Sequence, residues 1–224
     1  MRLLYTISIL SLLLFSCKNE TKPAQKEETK PLTTAEKIAN NYGFKHFKDI
    51  TEIGFTFNVD RDSSHFERSW IWKPKSNEVT LITAKYTITY NRKTIDSTNI
   101  KADQGFINDK FWLLAPFQLM WDKSASISKA VKAKAPISKL ETNKITITYP
   151  NNGGYTPGDA YDFYFNDNYL ITEWVYREGN KKEASLITTF ENHKDFNGIK
   201  IALEHKQADV NWNLNFTDIK VTTE

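Results

Sequence analysis

Cysteine is almost absent: the chain of 224 residues has one. This excludes an internal disulfide framework and a cysteine-rich zinc centre. A dominant charge is lacking too. Lys and Arg number 30 against 27 Asp and Glu, a formal net charge of +3. The two signs are interleaved, and the basic stripe that marks a nucleic-acid binder is missing. Beyond residue 15 there is no long apolar run. The longest, Phe111 to Phe117, is far short of the ~20 residues a membrane-spanning helix needs. The four histidines, His46, His65, His193 and His205, form neither HExxH nor a close pair. With a turn over 195–198, His193 falls near Lys200 and His205 near Thr188, so the two do not meet. There is no GxSxG elbow. Gly153, Gly154 and Gly158 make no phosphate-binding fingerprint, because no helix follows them. Asp60, Arg61 and Asp62 read as a turn. Asp159 reads as a loop stabiliser, and Asp162 falls on the wet face of a strand. These absences predict no metal, no cofactor and no enzyme. Catalysis stays open only as a third reading, should folding bring distant carboxylates together.

Two features are present in force. One is aromatic content: six Trp, ten Tyr and 14 Phe. The other is the start of the chain. Met1-Arg2 precedes an uncharged stretch from Leu3 to Phe15, the length of a signal-peptide core. It ends Leu14-Phe15-Ser16-Cys17, which resembles the lipobox of bacterial lipoproteins, with Phe15 bulky for its place. The resemblance implies cleavage before Cys17 and lipidation of that residue. The alternative is a conventional signal peptide with a chance cysteine. Residues 18–31, KNETKPAQKEETKP, hold no aromatic or branched aliphatic side chain and read as a tether. The expected organisation is a signal peptide over 1–16, a lipidated cysteine and tether over 17–33, and one domain over 34–224. Lys18 follows the cysteine in place of the Asp that retains lipoproteins at the inner membrane. This favours the outer membrane and leaves the leaflet undecided.

The body of the domain alternates with period 2. Thr33-Thr34-Ala35-Glu36 fits a capping box opening a short helix to about Asn41, stopped by Gly43. Thereafter Ile53, Phe55, Phe57 and Val59 share a face, as do Phe66, Trp70 and Trp72. So do Tyr86, Ile88 and Tyr90, then Ile145, Ile147 and Tyr149, then Tyr161, Phe163 and Phe165. Ile199, Ile201 and Leu203 follow, then Trp212, Leu214 and Phe216. Polar residues lie between them, the mark of strands with one buried face. Hairpin-length turns at 166–168, 178–180 and 195–198 predict antiparallel order. About 11 strands are expected, enough that the sheet must curl. Asn108 to Trp121 breaks the pattern. It reads as a short helix capped by Asn108, limited by Pro116 and apolar nearly all round, hence buried as a plug or gate. Lys129, Lys132, Lys134 and Lys139 read as the charged outer face of a strand, or as a basic rim that meets anionic headgroups.

Several segments carry a resemblance: Phe111–Phe117, Gly153–Asp159, Tyr169–Trp174 and Asp195–Lys200. With them the chain resembles an uncharacterised family of outer-membrane-type lipoproteins from Flavobacteriia and related Bacteroidota. More distantly, it is similar to the LolA, LolB and LppX lipoprotein-carrier superfamily. The resemblance implies a mainly β fold, a curved antiparallel half-open barrel around a hydrophobic cavity with short helices as plug or lid. A half-barrel has more concave surface than short helices cover. The expected function is therefore binding of a lipid, an acyl chain or another apolar ligand in an aromatic cavity. Candidate lining residues are Phe55, Phe57, Trp70, Trp72, Trp112, Trp121, Phe163 and Trp174. The alternative is a non-catalytic lipoprotein subunit of an envelope complex. The expected partners are the membrane, through the anchor, and an apolar ligand, with no nucleic acid.

Overall fold

In the computed structural model, residues 31–152 and 156–224 are described; the leader, Cys17 and the tether through residue 30 lie outside them. Leu32–Glu224 form one compact unit. Helix α1, Thr34–Asn41, opens on the capping box. The Thr33 hydroxyl accepts the Glu36 amide, and the Glu36 carboxylate accepts the Thr33 amide at 2.7 Å. Gly43, at φ +86°, ends it. A side chain there would meet the Gly198 carbonyl oxygen at 1.8 Å, so only glycine lets the chain pass.

In chain order come β1 (Ile50–Arg61), β2 (Ser64–Lys73), β3 (Glu78–Ile82) and β4 (Thr87–Asn91). Helices α2 (Ile100–Leu113) and α3 (Ala115–Trp121) follow. Next are β5 (Ser126–Ile127), β6 (Val131–Lys134), β7 (Glu141–Thr148), β8 (Ala160–Phe165) and β9 (Ile171–Arg177). The last are β10 (Leu186–Thr189), β11 (Glu191–Phe196), β12 (Ile199–Lys206) and β13 (Trp212–Thr223). One sheet has seven strands in the order β11-β12-β13-β1-β2-β3-β4. The other has six, β10-β9-β8-β7-β5, with β6 also on β7. All pairings are antiparallel. The seven-stranded sheet ends on free edges at β4 and β11, so the barrel is open. Its long central pair β1–β13 carries register shifts, one of them beside Asp218 at φ +52°. Such bulges bend and twist a strand. The β11–β12 turn uses Asn197 and Gly198, both left-handed, as a two-residue hairpin requires.

The mainly β, open, antiparallel architecture with helical plug matches the expectation; the details differ in four places. Two sheets and 13 strands replace one sheet of about 11. The two-residue β5 and four-residue β6 are too short to display alternation. The plug helix begins at Ile100, not at Asn108, which lies inside α2. Its inward face carries Asp103 and Asp109, both buried, and these interrupt the apolar periodicity. Pro116 falls in the first turn of α3, where its missing N–H costs nothing, so α2 and α3 meet as separate helices at Leu114. Asp162 is not on a wet face. It is buried, accepts the Thr146 hydroxyl at 2.6 Å and pairs with Arg177 at 3.2 Å. The outer face of β8 is covered by a small cluster of Ala135, Tyr164 and Val175. Finally, His193 stands opposite Ala202, two residues along from Lys200, whose charge still reaches it, and its Nε2 shares a hydrogen bond with the Tyr42 hydroxyl at 2.9 Å.

Candidate functional site

Helix α2 lies between the two sheets. Toward the seven-stranded sheet, Phe106 meets Trp70 and Trp72 edge-on, with ring centroids 5.5 Å apart in both cases. Toward the other sheet, Phe111 meets Tyr161 at 4.5 Å and Trp112 meets Trp174 at 4.2 Å. Two ion pairs pin the helix to the seven-stranded sheet. Asp109 receives Arg68 in bidentate fashion at 2.6 and 2.7 Å, the Trp70 indole N–H at 2.8 Å and the Asn108 amide at 3.0 Å. Asp103 receives Arg92 at 2.7 Å and the Tyr90 hydroxyl at 3.2 Å. Burial pushes the Asp109 carboxyl up, and Arg68 pulls it back. Gly105 has a local reason. A methyl group there would stand 2.8 Å from the Arg68 guanidinium, so a bare helix surface lets Arg68 cross to Asp109.

Beside α2 the packing leaves a cavity of about 540 Å³, the most enclosed of those described. Its walls are Gln104, Ile107, Asn108, Phe111 and Trp112 from α2, Phe57 and Val59 from β1, and Trp212 and Leu214 from β13. Tyr161, Trp174, Tyr176 and Leu186 come from the second sheet, with Thr156 and Asp159 at one end. The cross-strand pairs Val59–Leu214 and Arg61–Trp212 put β1 and β13 in phase at this wall. Asp159 accepts the Tyr176 hydroxyl at 3.1 Å and the Gly179 amide at 2.8 Å. Burial and the nearby Asp159 push the Tyr161 hydroxyl up, so it stays a neutral phenol. Behind Trp112 and Trp174 sits His205, fully buried, its ring 5.4 Å from that of Trp112. Its Nδ1 donates to the Thr189 carbonyl at 3.2 Å, which leaves Nε2 as a bare acceptor. Burial pushes this imidazole down to about 3. Among the described residues, His205 Nε2, Trp174 Nε1, Thr188 Oγ1 and Gln118 Nε2 are buried without a hydrogen-bond partner.

Of the eight candidate lining residues, Phe57, Trp112 and Trp174 stand in this wall. Phe55, Trp70, Trp72 and Phe163 are buried in the packed core instead. Trp72 and Trp121 join Phe47 and Phe117 in an aromatic cluster under α3, and Trp121 also lines a second cleft. That cleft, about 660 Å³, adjoins the first cavity and is bordered by Arg92, Lys110, Gln118 and Asp122. Cys17 and Gly153–Tyr155 lie outside the described residues. Sequence reasoning missed the two ion pairs, although a signal existed. Arg68 occupies an inward position between Phe66 and Trp70, where an unpaired charge is not tolerated. Lys129, Lys132, Lys134 and Lys139 are exposed, in and on either side of β6, and do not line the aromatic cavity.

No family model matches this chain, and neither does any curated protein. Solved structures do. A LolA superfamily protein from Nitrosomonas europaea aligns at a TM-score of 0.50 with 10% identity, over 86% of this chain and 96% of that one. A DUF1329 family protein from Desulfovibrio piger aligns at 0.47 with 8% identity, over 84% and 91%. A domain from Vibrio parahaemolyticus, assigned to outer membrane lipoprotein sorting, aligns at 0.46 with 11% identity, over 84% and 94%. At these identities the likeness is one of fold: the chain has a LolA-like fold.

Proposed function

We propose that this protein is a lipid-anchored lipoprotein of the bacterial envelope that binds a lipid, an acyl chain or another apolar molecule in the cavity beside α2. Fold alone does not imply function; the cavity carries the reading. Its volume of about 540 Å³ falls within the range of about 300–1,000 Å³ typical of small-molecule sites. Its walls are mainly aromatic and aliphatic, with Asp159, Thr156, Gln104 and Asn108 as the polar minority. Apolar area removed from water there stabilises a complex by roughly 25 cal/mol per Å². Asp159 and Asn108 are committed to structural bonds, and among the described residues of the wall no nucleophile stands beside a base, which supports binding rather than catalysis. Anchoring at Cys17, an outer-membrane address and kinship with the Bacteroidota lipoproteins are part of the same proposal and rest on the leader and the four sequence segments.

The test uses the tryptophans already in the wall. A brominated fatty acid should quench Trp112, Trp174 and Trp212, and native mass spectrometry should find lipid carried through purification. If neither appears, the binding reading falls, and capture of a stable envelope protein would favour an assembly subunit in its place.

A further inference from the structure

The aromatic cavity has a neighbour of different chemistry. Ile107 and Phe111 of α2, with Thr156, line both the cavity and the second cleft of about 660 Å³. A single helix face therefore separates an apolar chamber from one that carries charge. In the cleft, Lys110 lays its ammonium 4.7 Å from the centre of the Trp121 ring and 5.8 Å from that of Trp72. Among the described residues, no carboxylate forms an ion pair with it. Asp103, on the same helix, is engaged by Arg92 and Tyr90. Asp122, the one carboxylate lining the cleft among the described residues, accepts the Ser124 amide at 2.9 Å and the Ser124 hydroxyl at 2.6 Å. Burial pushes the Lys110 ammonium down to about 8, with Arg92 adding repulsion and Asp103 opposing it. An unsatisfied buried donor lines the same cleft. Gln118 is 7% exposed, and its Nε2 has no partner.

A half-buried cation without an ion-pair partner and a buried amide donor without an acceptor border the same cleft, and one oxyanion meets both needs. We propose that the ligand is an anionic amphiphile, its chain in the aromatic cavity and its carboxylate or phosphate head held by Lys110 and Gln118 in the adjoining cleft. This rests on the apolar-binding reading and narrows it to a class of ligand. Arg92 stands by as a second positive group but is tied to Asp103, so Lys110 carries the selectivity. The cation–π contacts hold the lysine stem in place while leaving its N–H donors available.

The test measures quenching of the full chain in one nonionic detergent by dibromostearate and by its methyl ester, with stearyl phosphate and inorganic phosphate as competitors. The wild type is expected to hold the acid at least about tenfold tighter than the ester. Stearyl phosphate should displace the acid, and millimolar inorganic phosphate should not. Lys110→Met should bring the acid down to the affinity of the ester, Lys110→Arg should keep most of the preference, and Gln118→Leu should reduce it. Equal binding of acid and ester by the wild type, or a preference that survives Lys110→Met, overturns the inference and leaves the apolar-binding reading standing. Displacement by inorganic phosphate alone assigns the cleft to the free anion and overturns the amphiphile. If neither acid nor ester quenches, both readings fail together.

Discussion

Asp109→Ala is the sharpest test of how the plug helix is held. The Asp109 side chain is completely buried, and four donors converge on it. Removing it leaves Arg68 charged and unpaired among Phe57, Phe66 and Trp70, whose rings lie 5.4 to 5.6 Å from the guanidinium carbon. Breaking one half of a buried ion pair costs about 3–5 kcal/mol. The Arg68 side chain retains 23% exposure and recovers part of its hydration, so the lower end, about 3 kcal/mol, is expected. In a domain of this size that lowers Tm by about 6–12 °C. Urea unfolding followed by tryptophan fluorescence measures it directly. The double variant Arg68→Met with Asp109→Leu removes both charges together and should return to within about 1–2 kcal/mol of the wild type, the remainder being the Trp70 N–H left without an acceptor. A loss under about 1 kcal/mol for Asp109→Ala, or a double variant no better than the single, would refute the claim that this pair fixes α2.

Three further outcomes are expected. Gly105→Ala ordinarily gains about 1 kcal/mol in a helix interior, but here the methyl displaces the Arg68 guanidinium; the same urea assay should show a net loss, and an Arg68→Met background should restore the gain. Stability should fall as pH drops through the mildly acidic range, because His205 is held neutral with its pKa near 3 while the unfolded chain protonates near 6.5. The unfolded state therefore binds the extra proton between those values, and the loss from pH 6.5 to 5 is about 2 kcal/mol; His193, pushed down to about 4 by burial, acts in the same sense. A His205→Phe variant whose unfolding free energy kept the same slope in that window would contradict this. Cys17→Ser should abolish incorporation of labelled palmitate and release the chain from the membrane fraction; retained label would remove Cys17 as the anchor.

The strands were largely legible because each carries a local, period-2 signal that needs no knowledge of its partner. β1, β7, β8, β12 and β13 show it plainly, and the Asn-Gly step at 197–198 marks its own hairpin. The first half of α2 was not legible for the opposite reason. Asp103 and Asp109 look like solvent-facing residues until Arg92 and Arg68, on other elements, are brought against them. Pairing of that kind is a property of tertiary contact, and it inverts the usual inference from polarity to exposure. Asp162 inverts the inference in the same way, its partners Thr146 and Arg177 lying on flanking strands.

The cavity posed a harder problem, and the eight aromatic candidates show why. Alternation says which side chains point inward, and on that count all the strand candidates qualify equally. Whether an inward ring fills the core or borders empty space depends on the difference between the enclosed volume and the side chains poured into it, a small residue of two large quantities. Phe106 reaches Trp70 and Trp72 and closes that side of the helix, so those rings are core. Near Phe57 and Leu214, the helix presents Gln104, Ile107 and Asn108, and the space stays open. Two ion pairs hold α2 against β2 and the end of β4, ring contacts of Phe111 and Trp112 hold it against β8 and β9, and the space left between is bordered by β1 and β13. The charged residues that disguise the helix in the sequence thus hold in place the helix whose Gln104, Ile107 and Asn108 wall the cavity, and Lys110 of the same helix borders the adjoining cleft.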